Sequence, residues 1–243
     1  MERKQIFENY MSTHSAGYTD FSKDKLRLQF NSYNRNYATL LPNNKEASIL
    51  EIGFGSGYFI KYLLSRGYTN IHGIELSDEE AKFVKKFIYD NDNIDCVEST
   101  ENFLDENINK YDFIYMSQVL EHIPKDNVID LLVKIKNSLK DSGIFVANTP
   151  NINNPFNIKV SGGDFTHEFI FNPESLRQVC MIANFYEIKI LPFKEENITW
   201  HGKVTNIVSK ISYFFTRIII GLNRCYLSPS NIYSANIYCV CKK

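Results

Sequence analysis

Long apolar runs are missing from this 243-residue chain: no stretch of about 18 consecutive apolar residues occurs, so no segment is built to cross a bilayer as a helix. The first 14 residues, MERKQIFENYMSTH, lack the apolar stretch of a secretory signal. Cysteine is sparse. Its five positions, 96, 180, 225, 239 and 241, are odd in number and show no C-x-x-C spacing, so neither a disulfide framework nor a zinc site is indicated. Reduced thiols predict a cytoplasmic protein. Charge of one sign is also lacking, since 27 basic against 28 acidic side chains leave a formal net charge of -1. Without a basic field to attract a phosphate backbone, nucleic acid is excluded as the main partner and a small molecule is the default. The 44% apolar and 23% charged content that remains is that of a globule with a buried core, long enough for one large α/β domain.

The most informative stretch is ILEIGFGSGYF, residues 49–59, an apolar strand that ends in an acid and runs into Gly53, Gly55 and Gly57. Glycine has no Cβ, so backbone there closely approaches a bound ligand. The third glycine follows the second by two residues, where the dinucleotide fingerprint needs three, so adenosylmethionine fits better than NAD. Glu75, with Leu76 beside it, ends the next strand 18 residues after Gly57, where a carboxylate accepts hydrogen bonds from both ribose hydroxyls of an adenosine. Glu51 lies inside an otherwise apolar strand. A buried carboxylate is costly unless something cationic pairs with it, and the ammonium of a methionine moiety would serve.

The remaining pattern alternates strands and helices. Residues 22–41 show helical spacing up to Pro42. Strands are expected at 48–52, 71–75, 94–97, 112–116 and 144–148, helices at 58–65, 78–89 and 125–139, with Gly143 ending the last of these. Asn172, Pro173 and Glu174 open a helix to 183, and two final strands are expected at 185–191 and 232–241. The alternation predicts a parallel sheet wound on both faces. Segments 149–171 and 192–231 are long for connections and are where specificity belongs. The second carries an apolar stripe at Val204, Ile207, Val208, Ile211, Phe214, Phe215, Ile218, Ile219 and Leu222, flanked by Lys203, Lys210, Arg217 and Arg224 at seven-residue intervals. Such a helix packs on the sheet or on a second subunit, the preferred reading, or lies on an anionic membrane surface. The expected organisation is one domain, with a cap at 1–44, a cofactor-binding core at 45–150, an acceptor side at 151–191, a helical insertion at 192–231 and a last strand at 232–243.

The motifs EIGFGSG, GIEL, VLEHI and LKDSGIFVANTPN, spread over 48–151, together resemble those of class I adenosylmethionine-dependent methyltransferases. The resemblance implies a Rossmann-like α/β fold with a seven-stranded, mostly parallel sheet in the order 3-2-1-4-5-7-6, and S-adenosyl-L-methionine as cofactor. It places Gly53, Gly55 and Gly57 against the methionine moiety and Glu75 on the ribose. Glu98, Ser99 and Thr100 would border the adenine, and Ser117 and Gln118 the sulfonium. A narrower likeness, carried by DFTHEFIFNPESLRQV at 164–179, is to methyltransferases of bacterial surface-polysaccharide clusters. It implies methylation of a sugar nucleotide, a capsule or O-antigen precursor, or an attached group such as a phosphoramidate.

A hydroxyl acceptor must lose a proton, and histidine suits that near neutral pH. His167 in the acceptor segment is preferred over His122, with Asp164 and Glu168 orienting the ring or binding hydroxyls. Ubiquinone-pathway O-methyltransferases resemble the chain at the Glu121-His122 pair but carry an acid three residues earlier, part of a magnesium site. Here Gln118 stands there, and no metal is expected. An N-directed methyltransferase on the same scaffold is the nearest variant. An NAD-dependent sugar oxidoreductase, disfavoured by the missing Y-x-x-x-K pair, and a non-catalytic nucleoside-binding subunit are the rivals from other classes. The expected partner is a small-molecule acceptor, with a homodimer or peripheral contact at the inner membrane through 203–224.

Overall fold

Strand segments such as ILEI are apolar on both sides because helices cover both faces of the sheet they enter. The computed structural model describes residues 20–155, 163–194 and 232–243, together with 204, 207–208, 211–215, 218–219 and 222. Seven strands form one sheet: β1 Ile49–Ile52, β2 Ile71–Glu75, β3 Ile94–Cys96, β4 Tyr111–Ser117, β5 Leu139–Pro150, β6 Tyr186–Pro192 and β7 Asn236–Lys242. Their order is β3-β2-β1-β4-β5-β7-β6, as expected. The first five strands pair in parallel, while β7 runs antiparallel to both β5 and β6.

The period of two along each strand divides the core into two layers. Leu50, Ile52, Ile114, Met116, Phe145 and Ala147 belong to one cluster with helices α4 Thr100–Glu106, α5 Val128–Ser138 and α6 Pro173–Ile182. Ile49, Phe113, Tyr115, Val146 and Tyr238 belong to the other, with α1 Lys23–Tyr37, α2 Tyr58–Ser65 and α3 Asp78–Phe87. Tyr37 at the end of α1 is fully buried, its ring 5.2 Å from those of both Tyr115 and Tyr238. The N-terminal cap is thereby tied to strands from the middle and the end of the chain.

Several boundaries differ from expectation for local reasons. Helix α1 stops at Tyr37 rather than 41, because the amides of Leu40 and Leu41 both turn back to the Tyr37 carbonyl ahead of Pro42. Helix α4 was not foreseen: it is seven residues long, and its visible start signal is Ser99, whose Oγ accepts the Asn102 amide at 3.2 Å. Gly143 does not end α5. The helix closes at Ser138 and β5 begins at Leu139, pairing with Tyr111 before residues 140–143 bulge out and Ile144 resumes opposite Phe113. Helix α6 opens as expected, with a reciprocal capping box between Asn172 and Ser175 at 2.7 and 2.9 Å. Among the described residues, no helix is long and apolar enough to cross a membrane.

Candidate active site

The loop leaving β1 holds its three glycines in left-handed backbone, at φ of 69° for Gly53, 49° for Gly55 and 77° for Gly57. Side chains rarely tolerate that region, and two of the sites have no room for one. A Cβ on Gly53 would stand 2.4 Å from Val119 Cγ2, and one on Gly57 2.9 Å from Val84 Cγ2. The loop is therefore pressed between the exit of β4 and helix α3.

Three carboxylates surround this loop. Glu75, at the tip of β2, accepts the Gly55 amide at 3.0 Å through Oε2 and the Leu76 amide at 2.8 Å through Oε1. It thus holds the glycine loop in place, and each oxygen keeps a second lone pair for a hydroxyl. Glu51 is 4% exposed, and its Oε2 has no hydrogen-bond partner among the described residues. Burial pushes its carboxyl well above the usual range, the nearby Glu75 carboxylate adds to that, and the Ile60 amide offsets part of it. Glu80 was not picked out in the sequence. Its Oε1 lies 3.9 Å from the Cβ position of Gly55, and burial, with help from Glu75 and Glu79, raises it to about 8.

Buried acids without a cation raise one another's proton affinity, and a cationic ligand relieves all of them. S-adenosylmethionine carries a sulfonium and an ammonium, so the acids, the orphaned Glu51 oxygen and the backbone that a Cβ would obstruct all fit it. The other residues expected on the cofactor divide. The Ser117 hydroxyl accepts from Asn148 Nδ2 at 3.3 Å, and Gln118, at φ 55°, donates its amide to the Asn148 carbonyl at 2.9 Å while its side chain is exposed. Ser99 caps α4 and donates to Glu101 at 2.9 Å, Thr100 is the first residue of that helix, and Glu98 is exposed.

A second polar cluster lies just past Val119, where a 3-10 turn, Leu120–His122, follows β4. Glu121 is 0% exposed, with Oε2 accepting from Thr149 Oγ1 at 3.1 Å and Oε1 without a partner among the described residues. Burial raises this carboxyl to about 8. The acceptor segment folds onto the same turn, since the amides of Glu168 and Phe169 both donate to the Glu121 carbonyl, at 2.8 and 3.2 Å. Thr166 donates its hydroxyl proton to Asp164 Oδ1 at 2.6 Å, and its oxygen lies 2.8 Å from His122 Nδ1. A hydroxyl has one proton, so Nδ1 carries the hydrogen in that contact and Nε2 the lone pair. The His167 ring is 4.7 Å from that of His122, and its Nε2 is 3.9 Å from Asp164 Oδ2. His167, His122 and Asp164 are thus brought together, so the two histidines weighed as alternative bases are neighbours. Glu168 joins through its backbone alone among these contacts, its side chain being exposed. Thr149 and Thr166 were missed: neither position has a signal beyond lying in the two segments already singled out.

Elsewhere, Cys180, Cys239 and Cys241 bring their sulfurs within 4.8 Å of one another in the core. Cys239 and Cys241 share a face of β7, a period-two pairing that C-x-x-C counting does not detect. The apolar stripe of residues 204–222 is described at all nine of its positions. Its nine residues are 39–78% exposed, and the four basic positions beside it lie outside the described residues. A groove of about 600 Å³ along α6, lined by Pro173, Arg177, Met181 and Ile190, includes no residue of the glycine loop or of the Glu121 cluster.

Comparison with known proteins is consistent with this geometry. A family model described as a methyltransferase domain matches residues 26–189, and the chain belongs to that family. It is an S-adenosylmethionine-dependent methyltransferase. No curated protein sequence matches it. Among solved structures, it is similar to an adenosylmethionine-dependent methyltransferase from Archaeoglobus fulgidus, with 19% identity, all of both chains covered and a TM-score of 0.60. A Thermotoga maritima enzyme described as a possible histamine N-methyltransferase has 18% identity, coverage of 98% and 99%, and a TM-score of 0.63. Phosphoethanolamine N-methyltransferase 2 of Haemonchus contortus, solved with S-adenosyl-L-methionine, has 15% identity, a TM-score of 0.57, and covers 98% of this chain and 60% of its own. At these identities the likeness concerns the fold.

Proposed function

We propose that this enzyme methylates a hydroxyl of a small polar acceptor, a sugar nucleotide or surface-polysaccharide precursor, at the corner formed by Glu121, His122, Asp164 and His167. The observation that carries the reading is the docking of the Asp164-to-Glu168 loop on the turn after β4, one residue beyond the Val119 side chain that meets Gly53. Cofactor loop and acceptor loop then share one wall. When bound, S-adenosylmethionine supplies an electrophilic methyl group on a positively charged sulfur. Glu51, Glu75 and the three glycines would hold it, with Leu76, Ser99, Thr100 and Ser117 along the nucleoside. The chain's own task at the corner is to align the acceptor oxygen and remove its proton, which close positioning beside a basic group favours. The sugar class is supported by the likeness of residues 164–179 to surface-polysaccharide methyltransferases.

His167→Ala tests this. Adenosylmethionine affinity by calorimetry should be unchanged while turnover with hydroxylated sugar-nucleotide acceptors falls about 100-fold or more. Undiminished turnover, or turnover with amines only, would remove the hydroxyl reading.

The same proposal extends to where the enzyme acts. An exposed apolar stripe in a segment with no acidic residue after Glu196, and with Lys203, Lys210, Arg217 and Arg224 at heptad spacing, supports contact with an anionic membrane surface.

A further inference from the structure

We propose that Glu121, His122 and His167 form a binding site for one divalent first-row transition cation. Each offers a ligand atom, and these atoms lie within 4.8 Å of one another, close enough for a single ion to reach all three after small side-chain adjustments. A fully buried carboxylate oxygen with no donor is costly, and Glu121 Oε1 has none among the described residues. A cation satisfies it. The Thr149 hydroxyl meanwhile holds the other oxygen at 3.1 Å, which orients the carboxylate.

The surroundings of His122 are those of a metal ligand. Asp164 accepts from Thr166, and Thr166 accepts from His122 Nδ1, so the ring presents Nε2 as its lone-pair nitrogen. Imidazole ligation of this kind, with an outer hydroxyl and carboxylate behind it, fixes both tautomer and ring orientation. Two imidazoles and one carboxylate suit manganese, iron, cobalt or zinc better than magnesium, which prefers an all-oxygen shell. Absence of a metal was expected because Gln118 replaces the acid of the ubiquinone-pathway enzymes. The third ligand comes instead from the acceptor loop, 45 residues after His122.

That origin has a consequence. An ion bound through His167 clamps the acceptor loop to the exit of β4, where its backbone already docks, and leaves coordination positions for the acceptor. Neighbouring open positions suit a molecule with two adjacent oxygens, such as the vicinal hydroxyls of a sugar. A hydroxyl oxygen bound to such an ion loses its proton more readily. The proton passes to the Asp164 carboxylate, whose side chain is 12% exposed, and the imidazoles serve as ligands rather than bases. This last step rests on the acceptor proposal above. Ion binding itself does not.

The test uses the whole chain freed of metal by chelation, titrated with Co²⁺ under visible absorption and with Mn²⁺ under electron paramagnetic resonance, without acceptor. One equivalent should bind. His167→Ala and Glu121→Gln should each lower affinity about 100-fold or more, and Thr166→Val about 10-fold, with melting curves confirming that each variant is folded. No stoichiometric binding of either ion would overturn the site. So would unchanged affinity in His167→Ala, or intense thiolate-to-cobalt absorption assigning the ion to the Cys180, Cys239 and Cys241 cluster. If no ion binds while His167→Ala still loses turnover, the cation falls and the acceptor corner stands. If the ion binds but His167→Ala keeps full turnover, the cation stands and the acceptor corner falls.

Discussion

The two proposed halves of the site, one for the cofactor and one for the acceptor, are built in opposite ways. The cofactor half comes from one βαβ unit: Glu51, the three glycines, Glu75 and Glu80 all lie within 30 residues of one another, and each acid is held above its usual pKa by burial. The acceptor half joins residues 121–122, 149 and 164–168, and most of its polar groups satisfy one another through hydroxyls and backbone. In the cradle of the proposed cofactor half several buried acids favour their protons until a cationic ligand arrives, a property that Glu121 alone carries among the acids named in the other half. That other half is a cross-braced corner whose details are free to vary with the acceptor.

Substitution of glycines should break this contrast most visibly. Gly53→Val forces a branched side chain into left-handed backbone and against Val119, and the two costs together come to about 2–5 kcal/mol. Calorimetry should show adenosylmethionine binding lost, with a lowered melting temperature. Gly163, beside the acceptor loop, has nothing within 4 Å of a Cβ, so Gly163→Ala should change stability by less than about 0.5 kcal/mol. Equal effects at the two positions would erase the distinction between a preorganised cradle and a tolerant loop.

Next in size is the pH dependence of the cradle. Glu80 is raised from 4.5 to about 8, so between those values the folded chain keeps a proton that the unfolded chain has lost. The slope is negative: without ligand, stability falls as pH rises from about 4.5 to about 8, by at most about 5 kcal/mol. Denaturant titrations at pH 5 and pH 8 should show this loss on top of that from the buried Glu51, Glu75 and Glu121, and Glu80→Gln should remove Glu80's share of the slope. Adenosylmethionine, a cation that favours the ionised acids, should protect more at the higher pH. A smaller effect is expected at Glu75, where Ala should weaken adenosylmethionine binding by roughly 1–3 kcal/mol, the scale of lost charged hydrogen bonds. Unchanged affinity would move the ribose site elsewhere.

How much of this could be read from the chain follows the same division. The acid in β1 and the glycines lie within seven residues and the acid at the tip of β2 follows 18 residues after the last of them, and the structure gathers them around one loop. Strand order was legible through the family resemblance of residues 48–151 rather than through periodicity, which carries no information about neighbours. The pairing of His122 with Thr166 and of Glu121 with Thr149 was not legible, because contacts across 44 and 28 residues leave no local pattern. Helix α4 was too short to show a period, and Gly143 was misread because a glycine after a helix marks either its end or, as here, a bulge in the strand that follows. Glu80 hid in plain sight, since Ser77 followed by three acids is satisfied by helix capping alone, and the helix start takes no account of which acid turns inward.

The weakest expected effect separates the core from the apolar stripe. Phe145 and Phe214 are the same residue type, but Phe145, on β5, is fully buried and stacks on Phe185, while Phe214 is 61% exposed. Phe145→Ala should cost about 3–5 kcal/mol in folding free energy. Phe214→Ser should change it by less than about 0.5 kcal/mol, because a side chain already facing water gives up little when shortened. If that stripe serves an anionic surface, the serine variant should lose flotation with phosphatidylglycerol vesicles while its melting temperature and its affinity for adenosylmethionine stay as they were. Dimer dissociation in place of lost flotation would assign the stripe to a second copy of the chain, and a large drop in melting temperature would mean that it is folded against the protein's own surface.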